Sequence, residues 1–283
     1  MNSIAANGDT ELDAGPNRSH IKARIISAAV LAPVVIGVIF LGSPWFDALI
    51  VLAVALMGFE WGRMAFAGPR IQVFFFSCAL ALVALLTATS SGGTAVLVMI
   101  GGAVAVSVSL LLCGRNPVLL SVIAFCGIGA TGVGLIWLRG LPEIGIELLI
   151  WLLVTVWATD TGAYFSGKTI GGPKLAPQIS PGKTWAGLIG GVVLAAAWGA
   201  AFSSFSEIGS PFALALMSAV LALFAQAGDL SVSVAKRRFA VKDAGRLIPG
   251  HGGLLDRADG LIGTAPLVAA MMALLGGEIP AWI

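Results

Sequence analysis

The chain has 283 residues, of which 58% are hydrophobic and 11% charged, with 16 Lys and Arg against 14 Asp and Glu. Its mean hydropathy is +0.98, and a soluble globular domain carries roughly 25% charged residues, so a water-soluble fold is excluded. The net charge of +2 says little by itself; where the charges lie says more.

Residues 1–20 are polar, carry Gly, Asn, Asp and Pro without periodicity, and read as a flexible cytoplasmic tail. Arg18, Lys22 and Arg24 then precede an apolar run over 25–42. That run is long and no small-residue cleavage site follows it, so a retained first transmembrane helix is expected rather than a signal peptide. Further apolar runs follow at 46–62, 71–89, 94–113, 117–138, 144–166, 184–204, 212–230 and 259–277. The expectation is an all-α polytopic integral membrane protein of about nine transmembrane helices, each run approaching the length that spans about 30 Å of hydrocarbon.

Counting Lys and Arg in the short loops orients these spans. With the N-terminus in the cytoplasm and the C-terminus outside, every Lys and Arg except Arg139 falls on the inner side. Residues 21–140 carry almost no polar chemistry and read as scaffold. Residues 141–283 read as the catalytic membrane region, with cytoplasmic loops at 167–183 and 231–258. Cys78, Cys113 and Cys126 lie within or at the ends of apolar runs without CxxC spacing, so neither a disulfide framework nor a zinc site is indicated.

The polar stretch from Asp229 to Gly260 holds ten of the chain's 30 charged residues. Asp229 ends an apolar run, and a carboxylate at membrane depth usually faces a partner or a wet cavity. If the helix continues, Asp229, Ser233 and Lys236 share one face, with Arg237 beside it. Lys242 follows, and then a turn in which Gly252 and Gly253 flank His251 and expose backbone N–H groups suited to anions. Asp256 and Asp259 stand three residues apart with Arg257 between them. With Asp229 they offer hard oxygen ligands for Mg²⁺, although Asp at a helix start is also a natural cap.

Upstream, Asp160 lies inside a span and also needs a partner. Gly162 to Thr169 matches the pattern GxxxxGK[ST], but a membrane run precedes it where a phosphate-binding loop needs a buried strand, so that reading is rejected. Ser180, Lys183 and Thr184, at the mouth of the next span, are better placed to hold phosphate at a helix start.

The spacing Ser233-x-x-Lys236-Arg237, Lys242-Asp243, His251-Gly252-Gly253-x-x-Asp256-Arg257-x-Asp259 resembles the signature of the phosphatidate cytidylyltransferase (CDP-diacylglycerol synthase) family, as do DTGAY and SPGKTWAG upstream. Ala235 and Ala258 stand where that family usually has a larger apolar residue, and Gly182 where a second Lys is common. The resemblance implies transfer of the cytidylyl group of CTP to phosphatidate, giving CDP-diacylglycerol and diphosphate in phospholipid biosynthesis. It implies Mg²⁺ held by Asp229 and Asp256, and a second cation near Asp259 or Asp160. Asp229, Asp256, Lys236 and His251 would carry the catalysis. Ser180, Lys183, Thr184, Ser233, Arg237, Lys242, Gly252, Gly253 and Arg257 would hold substrate. The partners implied are CTP, phosphatidate in the bilayer and, as an option, a second copy of the chain, but no nucleic acid. The site would face the cytoplasm from the inner membrane.

Two rivals stand against this reading. A CTP-dependent lipid kinase of the polyprenol or phytol type would transfer the γ-phosphoryl to an alcohol and would need a base, for which His251 or an Asp could serve. An ion-coupled transporter would place its carboxylates at mid-span, whereas these gather at helix ends on one side.

Overall fold

The computed structural model describes residues 33–66, 70–89, 92–112, 118–206, 208–245, 247 and 252–276. The tail, the start of the first span, Arg246 and His251 lie outside the described residues. Helices α1 (33–41), α2 (Trp45–Ala65), α3 (Arg70–Thr89), α4 (Gly92–Leu112), α5 (Val118–Arg139) and α6 (Gly145–Thr169) come first. After a short hairpin come α7 (Trp185–Ser206), α8 (Pro211–Arg238) and α9 (Leu255–Leu274). Seven of these, α2, α3 and α5 to α9, are long and apolar enough to cross a membrane among the described residues.

The hairpin departs from an all-helical chain. Strands β1 (Lys174–Ala176) and β2 (Ser180–Thr184) pair antiparallel, with Lys174 opposite Thr184 and Ala176 opposite Ser180. With the turn between them they occupy the second half of what reads from the sequence as a plain polar loop over 167–183. Gly171 and Gly172 both take positive φ, 68° and 89°, where L side chains are strained, and this turns the chain out of α6 into β1.

Three helix boundaries move relative to the apolar runs. Helix α6 continues to Thr169, so GAYFSGKT is helical and forms no phosphate-binding loop. Helix α8 continues to Arg238, eight residues beyond its apolar run. Helix α9 begins at Leu255, not 259, which shortens the expected 231–258 loop and puts Asp256 and Asp259 inside the helix. Hydropathy finds only where a helix is oily, and all three extensions are polar.

Helix α6 packs along α7, α7 along α8 and α8 along α9, while α9 also lies against α5. Helices α2 and α3 pair with each other and reach α5. The α6–α7 seam is a backbone contact, since a Cβ on Gly162 would stand 2.5 Å from the Gly190 carbonyl oxygen. Such small-residue seams let helices pack where the lipid offers no hydrophobic drive. Several polar side chains within this apolar bundle find partners. Thr155 and Thr159 donate to carbonyls one turn back, and Trp151 Nε1 donates to Ser218 Oγ at 2.9 Å, tying α6 to α8. In the first half, Phe76 and Phe125 meet edge to face at 5.5 Å.

The alternation of helices brings the C-terminal ends of α2, α6 and α8, the hairpin and the N-terminus of α9 to one end of the bundle. Arg139 marks the other end, where its Nε donates to the Ile39 carbonyl at 2.7 Å and so closes α1. There it lines a cleft with Ser43, Asp47 and Thr87.

Candidate active site

The polar extension of α8 sets the site. Because the helix persists to Arg238, Asp229, Ser233 and Lys236 fall on one stripe, as the i, i+4, i+7 spacing predicts. Ser233 donates to Asp229 Oδ1 at 3.2 Å. One turn earlier sits Gln226, a polar side chain only 5% exposed.

Strand β2 delivers the first base. Lys183 Nζ lies 2.6 Å from Asp229 Oδ2 and 3.0 Å from Gln226 Oε1. Thr184, the last residue of β2, is buried and caps α7, its Oγ1 accepting from Gly187 N at 3.1 Å. Its hydroxyl therefore fixes the exit from the hairpin. Ser180 opposes Ala176 in the hairpin and is half-buried. Arg237 steadies the same hairpin, its Nε donating to the Ile179 carbonyl at 3.1 Å and its Nη1 to the Val241 carbonyl at 3.3 Å.

The second pair joins α8 to α9. Lys236 Nζ lies 2.8 Å from Asp256 Oδ1, with both side chains largely buried. Asp256 Oδ2 accepts from Ala244 N at 2.9 Å and Gly253 N at 3.1 Å. Neither Asp256 nor Asp259 is the cap residue of α9; that position is Leu254, which has no capping side chain. Asp256 instead reaches back across the turn and pins it to Lys236. Gly252 has φ of 81° and approaches Asp256 closely.

Asp259 lies one turn further along α9, its Oδ1 accepting from Gly260 N at 2.8 Å. It lies in the electrostatic field of Asp229, Asp160 and Lys236. Asp160 on α6 lies in that of Asp229, Lys183 and Arg257. Three carboxylates from three helices thus share one region with three bases. Lys242 and Arg257 are exposed at its rim. His251 lies outside the described residues.

Two participants escape the sequence reading. Gln226 holds Lys183 in place. Glu60, on α2, is 2% exposed, and its carboxylate accepts from Leu254 N at 3.0 Å and Leu255 N at 2.8 Å. Glu60 thus ties the region read as scaffold to the start of α9. The signal was available: Glu60 is a carboxylate inside an apolar run, and the rule that drew attention to Asp229 and Asp160 applies equally to it.

Carboxylates interleaved with bases thus gather at one end of an apolar bundle. The model of the cytidylyltransferase family matches residues 22–275, and the chain belongs to that family. It is 33% identical to the phosphatidate cytidylyltransferase of Brucella suis biovar 1 (strain 1330), over 88% of this chain and 92% of that protein. It is 34% identical to the phosphatidate cytidylyltransferase of Haemophilus influenzae, over 87% and 96%. Against that of Pseudomonas aeruginosa it is again 34% identical, over 92% of this chain and the whole of the relative.

Proposed function

We propose that this chain catalyses attack of a phosphatidate phosphate oxygen on the α-phosphorus of CTP, forming CDP-diacylglycerol and releasing diphosphate. The observation that carries the reading is the double pairing of Lys183 with Asp229 and Lys236 with Asp256, which joins β2, α8 and α9 at one end of an apolar bundle. A new oxygen–phosphorus bond forms while the bond to the bridging oxygen breaks, and the electron pair leaves with diphosphate. The nucleophile is already anionic, so no base is needed. The demand is for charge to be positioned and neutralised.

Lys183 and Lys236, with Arg257 and Lys242 at the rim, would take the phosphates, the Arg being suited to two-point contact. The carboxylates suit a hard cation in kind, since Asp160, Asp229 and Asp259 lie in mutual electrostatic reach. Among the described residues no three His, Cys, Asp or Glu side chains already stand in a metal-binding arrangement. Both oxygens of Asp256 are occupied by donors. Both oxygens of Asp229 are likewise engaged, by Lys183 and Ser233, so Asp259 and Asp160 would hold Mg²⁺ first, and Asp229 and Asp256 would join as Lys183 and Lys236 withdraw toward substrate. A bound Mg²⁺ would polarise phosphate oxygens and neutralise the leaving group, and the same cluster has room in charge for a second cation. On the positive-inside count this end would face the cytoplasm and CTP, with nine spans running from an inner N-terminus to an outer C-terminus.

The test uses purified full-length chain with phosphatidate and CTP labelled at either the α- or the γ-phosphorus. The α-label is expected in the lipid, with transfer stopped by chelation and restored by Mg²⁺. Lipid carrying only the γ-label would establish the kinase, and ion flux in sealed vesicles with no CTP turnover the transporter.

A further inference from the structure

Helix α9 begins without a cap of its own. Its first residues are Leu254 and Leu255, following Gly252 and Gly253, and none carries a side chain that can accept the free N–H groups of a helix start. The acceptor comes from nearly 200 residues away in sequence, where Glu60 of α2 places one carboxylate oxygen on each of Leu254 N and Leu255 N.

The fit around Glu60 is shaped from both sides. A Cβ on Gly245 would collide with Oε1, and one on Gly253 would stand 2.6 Å from Oε2, so two glycines make room for the carboxylate. A carboxylate this deeply buried is costly unless hydrogen-bonded, and here two N–H donors and the positive end of a helix compensate it. The next residue, Trp61, packs edge to face on Phe239 at 5.9 Å, and Phe239 is the cap residue of α8. The end of α2 thus touches the end of α8 through Trp61 and the start of α9 through Glu60. Between those two ends lies the Lys236–Asp256 pair. Asp256 in turn accepts from Ala244 N, whose neighbour Gly245 leans on Glu60.

We infer that Glu60 is a positioning residue for cytidylyl transfer: it acts as a cap supplied from α2 that sets the start of α9, and through it Asp256, Arg257 and Asp259, against α8. The inference rests on the transfer reaction proposed above. Glu60 hydrogen-bonds the start of α9 and lies in the electrostatic field of Asp256, so its effect passes through the placement of α9 and of that carboxylate. Shifts of about an ångström at a reacting centre can cost on the order of 100-fold in rate.

The experiment measures label transfer from α-labelled CTP, per folded molecule, in full-length wild type, Glu60→Ala, Glu60→Gln and Leu138→Ala. Leu138 is fully buried at the opposite end of α5, so its truncation lowers stability without touching the site. Glu60→Ala is expected to lower kcat on the order of 10- to 100-fold while the apparent KM for CTP changes less. Glu60→Gln keeps one acceptor and should fall between Ala and wild type, which also covers the case in which Ala does not fold. Gly245→Ala, which crowds the carboxylate, should lower kcat in the wild-type background and have little effect once Glu60 is Ala. The role is overturned if Glu60→Gln and Gly245→Ala both keep kcat within twofold of wild type. It is equally overturned if Leu138→Ala, at matched thermal midpoint, loses as much kcat as the Glu60 variants. Wild type that transfers no α-label would instead sink the reaction itself.

Discussion

Asp229 and Asp256 hold the same kind of partner but not the same position. Asp256 accepts from three donors, Lys236 and two backbone N–H groups. Asp229 accepts from Lys183 and a serine hydroxyl, and the other carboxylates of the cluster surround it. Asparagine at either position should abolish turnover while the protein still inserts, but for different reasons. Asp256→Asn turns an amide N–H₂ toward donors and loosens the turn before α9, so it should also lower the thermal midpoint. Asp229→Asn removes charge from the cluster, so it should weaken Mg²⁺ activation with a smaller loss of stability. Near-full activity of either variant at saturating Mg²⁺ would remove that carboxylate from the ion's neighbourhood. Lys183→Ala should raise the apparent KM for CTP, since Lys183 is the base that β2 delivers to the cluster. An unchanged KM, measured by initial rates, would leave it only a topological charge.

Much of this cluster was legible because it is sequence-local. The i, i+4, i+7 spacing of Asp229, Ser233 and Lys236 needs only the continuation of one helix, and α8 continues. The pairing of Lys183 with Asp229 and of Lys236 with Asp256 is long-range, and only the motif resemblance joined those segments beforehand. Glu60 stands out in the sequence as a carboxylate inside an apolar run, but its role was not legible there, because its partners are backbone N–H groups nearly 200 residues away. The hairpin was missed for a related reason: SPGKT has no apolar alternation, and its pairing with Lys174–Ala176 rests on backbone hydrogen bonds.

At the scale of elements, the active end depends on how closely α8 and α9 approach. A Cβ on Gly228 would collide with the Asp259 carbonyl and stand 2.9 Å from Gly263 N; one on Gly263 would collide with the Phe224 carbonyl. Gly228 precedes Asp229 directly, so the seam that brings the helices together also sets the separation of Asp229 from Asp259. Gly228→Ala should therefore force α8 and α9 apart and lower both activity and the thermal midpoint. Gly101→Ala on α4 meets nothing within 4 Å, and Ala is the better helix former by about 1 kcal/mol. It should leave label transfer unchanged, with stability equal or slightly higher. Equal effects of the two substitutions would show that glycine content, not the α8–α9 approach, is what matters. The hairpin is anchored at its exit by Thr184, and loss of that cap in Thr184→Ala should cost about 1 kcal/mol, read as a lower thermal midpoint.

For the whole molecule, the arrangement makes a prediction about sidedness. The hairpin, the polar end of α8 and the start of α9 share one end, and Arg139 with Asp47 and Ser43 marks the other. Near the first end lie Arg63, whose guanidinium sits 5.7 Å over the Phe59 ring, and Lys168, 5.6 Å over the Tyr164 ring. Such basic and aromatic pairs suit the headgroup layer. A charge-bearing nucleotide cannot cross the apolar bundle, so on the proposed reaction the end holding Lys183 and Lys236 is expected to face the compartment that supplies CTP. In a background with Cys78, Cys113 and Cys126 replaced by Ser, a cysteine at Gln178 on the hairpin tip should react with a membrane-impermeant maleimide only in inverted vesicles. A cysteine at Glu143, exposed in the short connection between α5 and α6, should react only from outside intact cells stripped of their outer envelope. Labelling of both from one face would break the alternation of helices, and the reverse pattern would place the carboxylate cluster away from the nucleotide it is proposed to bind.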